Sequence, residues 1–163
     1  MFSYLVWQPI FDRKGKIGKV EVLSRIEGGA PPDIDWLESR NEVHRYDLQV
    51  TEASLGQWHA LQGVSDVPPV VSLNISPNSF CSYGLMVDRL LEVTSSQGVE
   101  PQSVAIEILE TALFDSRCWE PLKEAVQALR QAGFSVVLDD FGRRSASLDR
   151  LIDLEFSGIK LDG

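Results

Sequence analysis

The sequence predicts an α/β fold built on a mostly parallel sheet, and three observations lead there. Short β-branched and aliphatic runs alternate with stretches of helical periodicity. The later runs end in polar residues: Asn74, Glu107, Asp139 with Asp140, and Lys160. Those exits follow one another at roughly 20–33 residues, about the span of a βα unit. Right-handed crossovers would carry them to one rim of the sheet.

The 163 residues suit a single domain over 1–163, and a content of 44% hydrophobic and 24% charged residues suits a real core. A net charge of −9 argues against a nucleic-acid polymer or an anionic membrane surface as partner. No apolar stretch approaches the ~20 residues a membrane span needs. The opening Met1-Phe2-Ser3-Tyr4-Leu5-Val6-Trp7 has neither the basic start nor the long apolar centre of a signal peptide. Cys81 and Cys118 have no metal-like spacing, and two cysteines predict no disulfide framework. A reducing cytoplasm is therefore the expected setting.

In order, Tyr4 to Phe11 reads as a strand, Asp12-Arg13-Lys14-Gly15-Lys16 as a turn, and Ile17 to Ile26 as the returning strand of a hairpin. The two-residue period puts Glu21, Leu23 and Arg25 on one face. Glu21 and Arg25 fit either a surface salt bridge, worth little, or a metal ligand with a phosphate clamp. Gly28-Gly29-Ala30-Pro31-Pro32 breaks the chain before a short helix over Asp33 to Arg40. Tyr46 to Leu61 is helical, with Leu48, Leu55, Trp58 and Leu61 near one stripe. His44 and His59 lack partner ligands and are expected to bind no metal.

Pro68-Pro69 precedes a strand, Val70 to Ile75, which Ser76-Pro77 ends. The amide oxygen of Asn74 fits a hard metal, although a turn or cap role is the commoner use of Asn there. Leu85 to Ser96 is a helix with Val87, Leu90 and Leu91 inward. The next strand, Val104 to Thr111, contains Glu107, and a glutamate among apolar neighbours is costly unless paired or metal-bound. Cys118 to Ala132 is a helix with Leu122, Val126 and Leu129 buried, closed by Gly133.

Val136-Val137-Leu138 reads as a buried parallel strand that delivers Asp139 and Asp140 at its carboxyl end. Adjacent carboxylates repel unless a cation sits between them or one takes a proton; a helix-capping loop is the alternative. After Arg143-Arg144-Ser145-Ala146, Ser147 caps a short helix through Leu154, and Gly158 to Asp162 is a final strand bearing Lys160. Three acids, an amide and a lysine meeting at one rim suit metal-assisted phosphoryl chemistry.

These residues resemble the EAL family of cyclic di-GMP phosphodiesterases along the whole chain. Trp7-Gln8-Pro9-Ile10 resembles its opening QPI strand, Glu21-Val22-Leu23 its EAL tripeptide, and Leu73-Asn74-Ile75-Ser76 its LNxS strand. Glu107-Ile108-Leu109-Glu110 resembles ExTE, Asp139-Asp140-Phe141-Gly142 is DDFG, and Ile159-Lys160-Leu161-Asp162 resembles LKID. The resemblance implies a modified TIM barrel with an antiparallel first strand. It implies one Mg²⁺ or Mn²⁺ on Glu21, Asn74, Glu107 and Asp139, with Asp140 serving a second metal. It further implies that Lys160 positions the attacking water and that Gln8, Leu23 and Arg25 contact the dinucleotide. Glu110 would brace the loop after Asp140, and cyclic di-GMP would be hydrolysed to pGpG, with Glu21, Asp140 and Lys160 as catalytic residues.

The chain departs from the family in two places. The loop after DDFG reads Arg143 to Leu148 where the family has TGYSSL, and arginine cannot adopt cheaply the backbone geometry open to glycine. The sequence also stops after the sixth strand, without the downstream glutamate of EGVE. Since closure needs eight strands, an incomplete barrel of about six is expected. Either the intact protein continues past Gly163, or a homodimer or a partner domain covers the open edges; in both cases this polypeptide alone would be inactive. The alternative is a degenerate domain that senses cyclic di-GMP or a protein without hydrolysing anything.

Overall fold

The computed structural model describes residues 2–62, 70–110, 116–142 and 148–161. Among them the backbone forms one sheet of six strands in the order β1-β2-β3-β4-β5-β6. Strands β1 (Tyr4–Phe11) and β2 (Ile17–Arg25) make an antiparallel hairpin, and every later pairing is parallel. Its turn forms because the Asp12 carboxylate accepts the Lys14 and Lys16 N–H groups at 2.8 and 3.0 Å. The opening hairpin, the antiparallel first strand and the six strands agree with the sequence reading, and β1 and β6 (Gly158–Leu161) are the two edges.

The middle strands, β3 (Val70–Asn74), β4 (Val104–Leu109) and β5 (Ser135–Phe141), are apolar because both of their faces are covered. Val71, Leu73, Ile106, Ile108, Val136 and Leu138 pack with Leu55 and Trp58 of α2 (Val43–Gln62). The same core takes Met86, Leu90 and Val93 from α4 (Met86–Ser96) and Leu122, Val126 and Leu129 from α5 (Trp119–Gln131). Gly133, with φ +101°, closes α5 in the left-handed backbone that glycine adopts freely. A last short helix, α6 (Leu148–Asp153), leads towards β6.

Two further helices are short. Helix α1 (Ile34–Ser39) is capped by Asp33, whose carboxylate accepts the Trp36 N–H at 2.9 Å. Helix α3 (Pro77–Ser82) occupies a stretch that the sequence reading leaves without an element. Ser76-Pro77, read as a strand terminator, also starts a helix: Ser76 caps it through the Asn78 N–H, and Pro77 sits at a first-turn position where its missing N–H costs nothing. Helix α2 likewise begins at Val43, three residues ahead of the expected start. The expected strand end at Thr111, the Ser147 cap, the loop 143–147, Pro68-Pro69 and Asp162 lie outside the described residues.

The cysteines correct a second expectation. Cys81 in α3 and Cys118 just before α5 are joined by a disulfide with Cα atoms 5.2 Å apart. Spacing along the chain could not reveal it, because the packing of α3 against α5 brings the two together. The bridge removes the cysteine-based reason for expecting a reducing compartment. No helix among the described residues is long and apolar enough to cross a membrane.

The bridge joins residues 37 apart, and such a loop stabilises a fold by about 2–4 kcal/mol in the chain-entropy account. Replacing both cysteines by alanine should lower the urea midpoint by a corresponding amount. An unchanged midpoint would show that the bridge does not support the fold.

Candidate metal centre

The centre is built at the carboxyl ends of the parallel strands. Register pairs Glu21 with Ser72, Asn74 with Glu107, and Leu109 with Asp139. Strands aligned in this way project Glu21, Asn74, Glu107 and Asp139 from neighbouring positions of one surface. Carboxylate oxygens of Glu21, Glu107 and Asp139 lie within 4.8 Å of one another. Asn74 adjoins them, its amide nitrogen donating to Glu21 Oε1 at 3.0 Å.

Lys160 enters from β6 and stands among the three acids. Its Nζ is 3.2 Å from Glu21 Oε2, 2.6 Å from Glu107 Oε2 and 3.2 Å from Asp139 Oδ1. Burial alone would push the ammonium's pKa down. Its hydrogen bond to Glu107 and the charges of Glu107, Glu21 and Asp139 outweigh that and hold it above the ordinary lysine range. Glu107 is only 1% exposed. Its other oxygen, Oε1, accepts from the Ser72 hydroxyl and lies 3.4 Å from Lys19 Nζ. The cost of burying a carboxylate in the sheet is therefore offset by three donors from three other strands.

The remaining expected residues are placed unevenly. Gln8 pairs with Glu21 across the hairpin, so the two share a face. Leu23 and Arg25 line a cavity of about 530 Å³ that reaches from Asn74 and Glu107 to Pro31, Asp35 and Glu38. Asp140 follows Asp139 with φ +57° and donates its N–H to Asp139 Oδ1 at 2.9 Å. It is outside the cluster of three acids. Glu110 is buried at 2% exposure, while the loop it would brace lies outside the described residues. His44 stacks on Tyr83 with ring centroids 4.8 Å apart and is not part of the acidic cluster; the side chain of His59 is outside the described residues.

Three contributors escape the sequence reading. Lys19 and Ser72 precede Glu21 and Asn74 by two residues, so strand period alone could have put them on the same face. Asp47 gives no such signal. It lies on the apolar stripe of α2 and is 4% exposed, and its Oδ2 accepts the Ser76 N–H at 2.9 Å and the Ser79 hydroxyl at 2.6 Å. It thereby ties down the chain just after Asn74. Ser76 Oγ in turn donates to Glu38 at 2.6 Å.

The donor set fits a hard divalent cation: three carboxylates and an amide, all offering oxygen. Carboxylates and a lysine gathered at the strand ends of an α/β sheet are groups that metal-assisted chemistry can use. The family profile of the EAL domain matches residues 3–163. The chain belongs to the EAL domain family. It is 32% identical over 161 residues to "Probable cyclic di-GMP phosphodiesterase PdeA" of Escherichia coli (strain K12), covering 96% of this chain and 21% of that protein. It is 32% identical over 157 residues to the cyclic di-GMP phosphodiesterase RocR of Pseudomonas aeruginosa, covering 93% of this chain and 39% of RocR. The chain thus spans well under half the length of these relatives.

Among solved structures, the EAL enzyme Bd1971 in its cAMP and cyclic-di-GMP bound form superposes with a TM-score of 0.85 at 22% identity, covering 98% of this chain and 45% of that one. The manganese/cy-diGMP complex of Klebsiella pneumoniae BlrP1 at pH 9.0 gives 0.75 at 25% identity, with 97% and 40% covered. The fold is accordingly the TIM-barrel-like EAL architecture, here an open six-stranded part of it among the described residues.

Asp47 carries a pH signature. Burial drives its pKa from 3.8 up to about 7, against the lowering effect of the bonds from Ser79 and Ser76, while the charge of Glu38 adds to the rise. An acid whose pKa is raised on folding contributes stability below its unfolded value, and that stability is lost as pH climbs through the folded value. Stability should therefore fall between about pH 4 and pH 7, by on the order of 2–4 kcal/mol from this group. Asp47→Asn keeps an acceptor for both donors and should flatten that slope in denaturant titrations at several pH values. An unaltered slope would assign the pH dependence elsewhere.

Proposed function

We propose that the chain carries the metal-binding part of a cyclic di-GMP phosphodiesterase centre. Glu21, Asn74, Glu107 and Asp139 hold one Mg²⁺ or Mn²⁺, and Asp140 serves a second. Gln8, Leu23 and Arg25 face the dinucleotide. The observation that carries the reading is the meeting of three carboxylates with Lys160 beside a cavity that Leu23 and Arg25 line. The PdeA and RocR names describe those relatives and support the same substrate here.

A bound divalent cation polarises a phosphodiester and lowers the pKa of a coordinated water. The chain's own residues do the rest. Arg25 presents a planar set of N–H donors suited to a phosphate oxygen. Leu23 supplies an apolar wall to the cavity, and Lys160, whose ammonium is turned to the carboxylates, would release one of them to hold the attacking water. A second copy or a partner domain along β1 and β6 would complete the surroundings of the site.

A receptor without turnover is the second reading. The observation favouring it is that protein donors engage both oxygens of Glu107, from Lys19, Ser72 and Lys160.

Mn²⁺ titrated into the protein should bind, and Glu107→Gln and Asp139→Asn should each weaken that binding by at least about tenfold. Cyclic di-GMP should then bind in calorimetry with Mn²⁺ present. Release of pGpG marks the enzyme, and binding without release marks the receptor. If neither cation nor dinucleotide binds, the assignment fails.

A further inference from the structure

Lys19 has no part in the phosphodiesterase reading, yet it reaches the most buried acid of the centre. It stands two residues before Glu21 in β2, so its side chain leaves the same face of the strand. Its Nζ lies 3.4 Å from Glu107 Oε1, with its own side chain 24% exposed and that of Glu107 at 0%. Lys160 takes Oε2 of the same carboxylate at 2.6 Å. Three acids in the cluster thus face two ammonium groups, and Glu107 is gripped from both sides.

We propose that Lys19 is a built-in counter-ion of the metal centre, which competes with a divalent cation for Glu107 and so sets how tightly the site holds metal. The inference rests on Glu107 being a metal ligand. A cation that takes Glu107 must either draw Oε1 away from the Lys19 ammonium or share the carboxylate with it. Sharing brings two positive charges close together in a partly dry site, and withdrawal leaves the ammonium without its partner. Both penalties fall on the loaded state alone. Removing the charge has a second effect of the same sign, because the empty site then holds its three carboxylates with one ammonium fewer. Lys160 touches all three acids, so a change there disturbs the whole cluster. The ion pair of Lys19 is with Glu107 only, among the described residues, and its influence can be isolated.

The test is Mn²⁺ affinity, followed by the paramagnetic resonance of the free ion, for the full chain and for Lys19→Met, Lys19→Gln and Lys19→Arg. The Met and Gln variants should bind Mn²⁺ about tenfold more tightly or better, and Arg should stay near the starting affinity. Their melting temperatures should also rise more on adding Mn²⁺ than that of the unaltered chain. Binding by the Met and Gln variants alone would support the inference as well. Equal or weaker affinity in those two variants would overturn it while leaving Glu107 a ligand. Tightening that Arg shares equally would also overturn it, since charge would not be the cause. No Mn²⁺ binding by any of the four proteins would overturn both the inference and the reading beneath it.

Discussion

A carboxylate with no exposed side-chain surface, in the middle of a parallel sheet, is the constraint to which the other parts answer. Glu107 takes donors from β2, β3 and β6, supplied by Lys19, Ser72 and Lys160. Each donor reaches it only if its strand lies in the observed register. A slip of one residue would turn any of these side chains to the apolar outer face. It would also leave the glutamate buried with a missing partner, a loss larger than that of an ordinary hydrogen bond. The polar interior therefore fixes the alignment that the apolar exterior, tolerant of sliding, leaves open.

The exit of β3 is held by different means. Asp47 binds the Ser76 amide and the Ser79 hydroxyl from α2, and Glu38 accepts from the Ser76 hydroxyl. The Cys81 bridge then ties the end of α3 to the start of α5. Asn74 thus lies between a strand with a fixed register and a helix fastened at both ends. An amide set on rigid elements in this way need not be ordered again when something binds.

Much of this was legible in the letters. Two-residue spacing put Glu21, Leu23 and Arg25 on one face, and the continuous apolar runs around Val71, Ile106 and Val137 marked strands covered on both sides. Glu107 declared itself as an acid where none belongs. The unread parts depend on contacts between distant segments. Helix α3 spans Pro77–Ser82, too short to show a periodicity and opened by the very pair that ends a strand. The disulfide exists because two helices pack. Asp47 looks like one polar residue on a helix until β3 and α3 come to rest against it. Lys19 gives little signal for another reason: it follows the Lys14-Gly15-Lys16 turn closely, where a lysine reads as an ordinary surface charge.

The antiparallel hairpin that opens the sheet bears on the order in which these pieces come together. Its two strands are joined by a short local turn, and such ribbons form in microseconds. The contacts to Glu107 span 35, 53 and 88 residues of chain, and closures of that length come late in folding. Glu21, Lys19 and Arg25 thus sit on a locally closed ribbon, whereas the carboxylate cluster needs strands that are distant along the chain. A ligand that bound only the completed cluster would draw the population toward it by mass action.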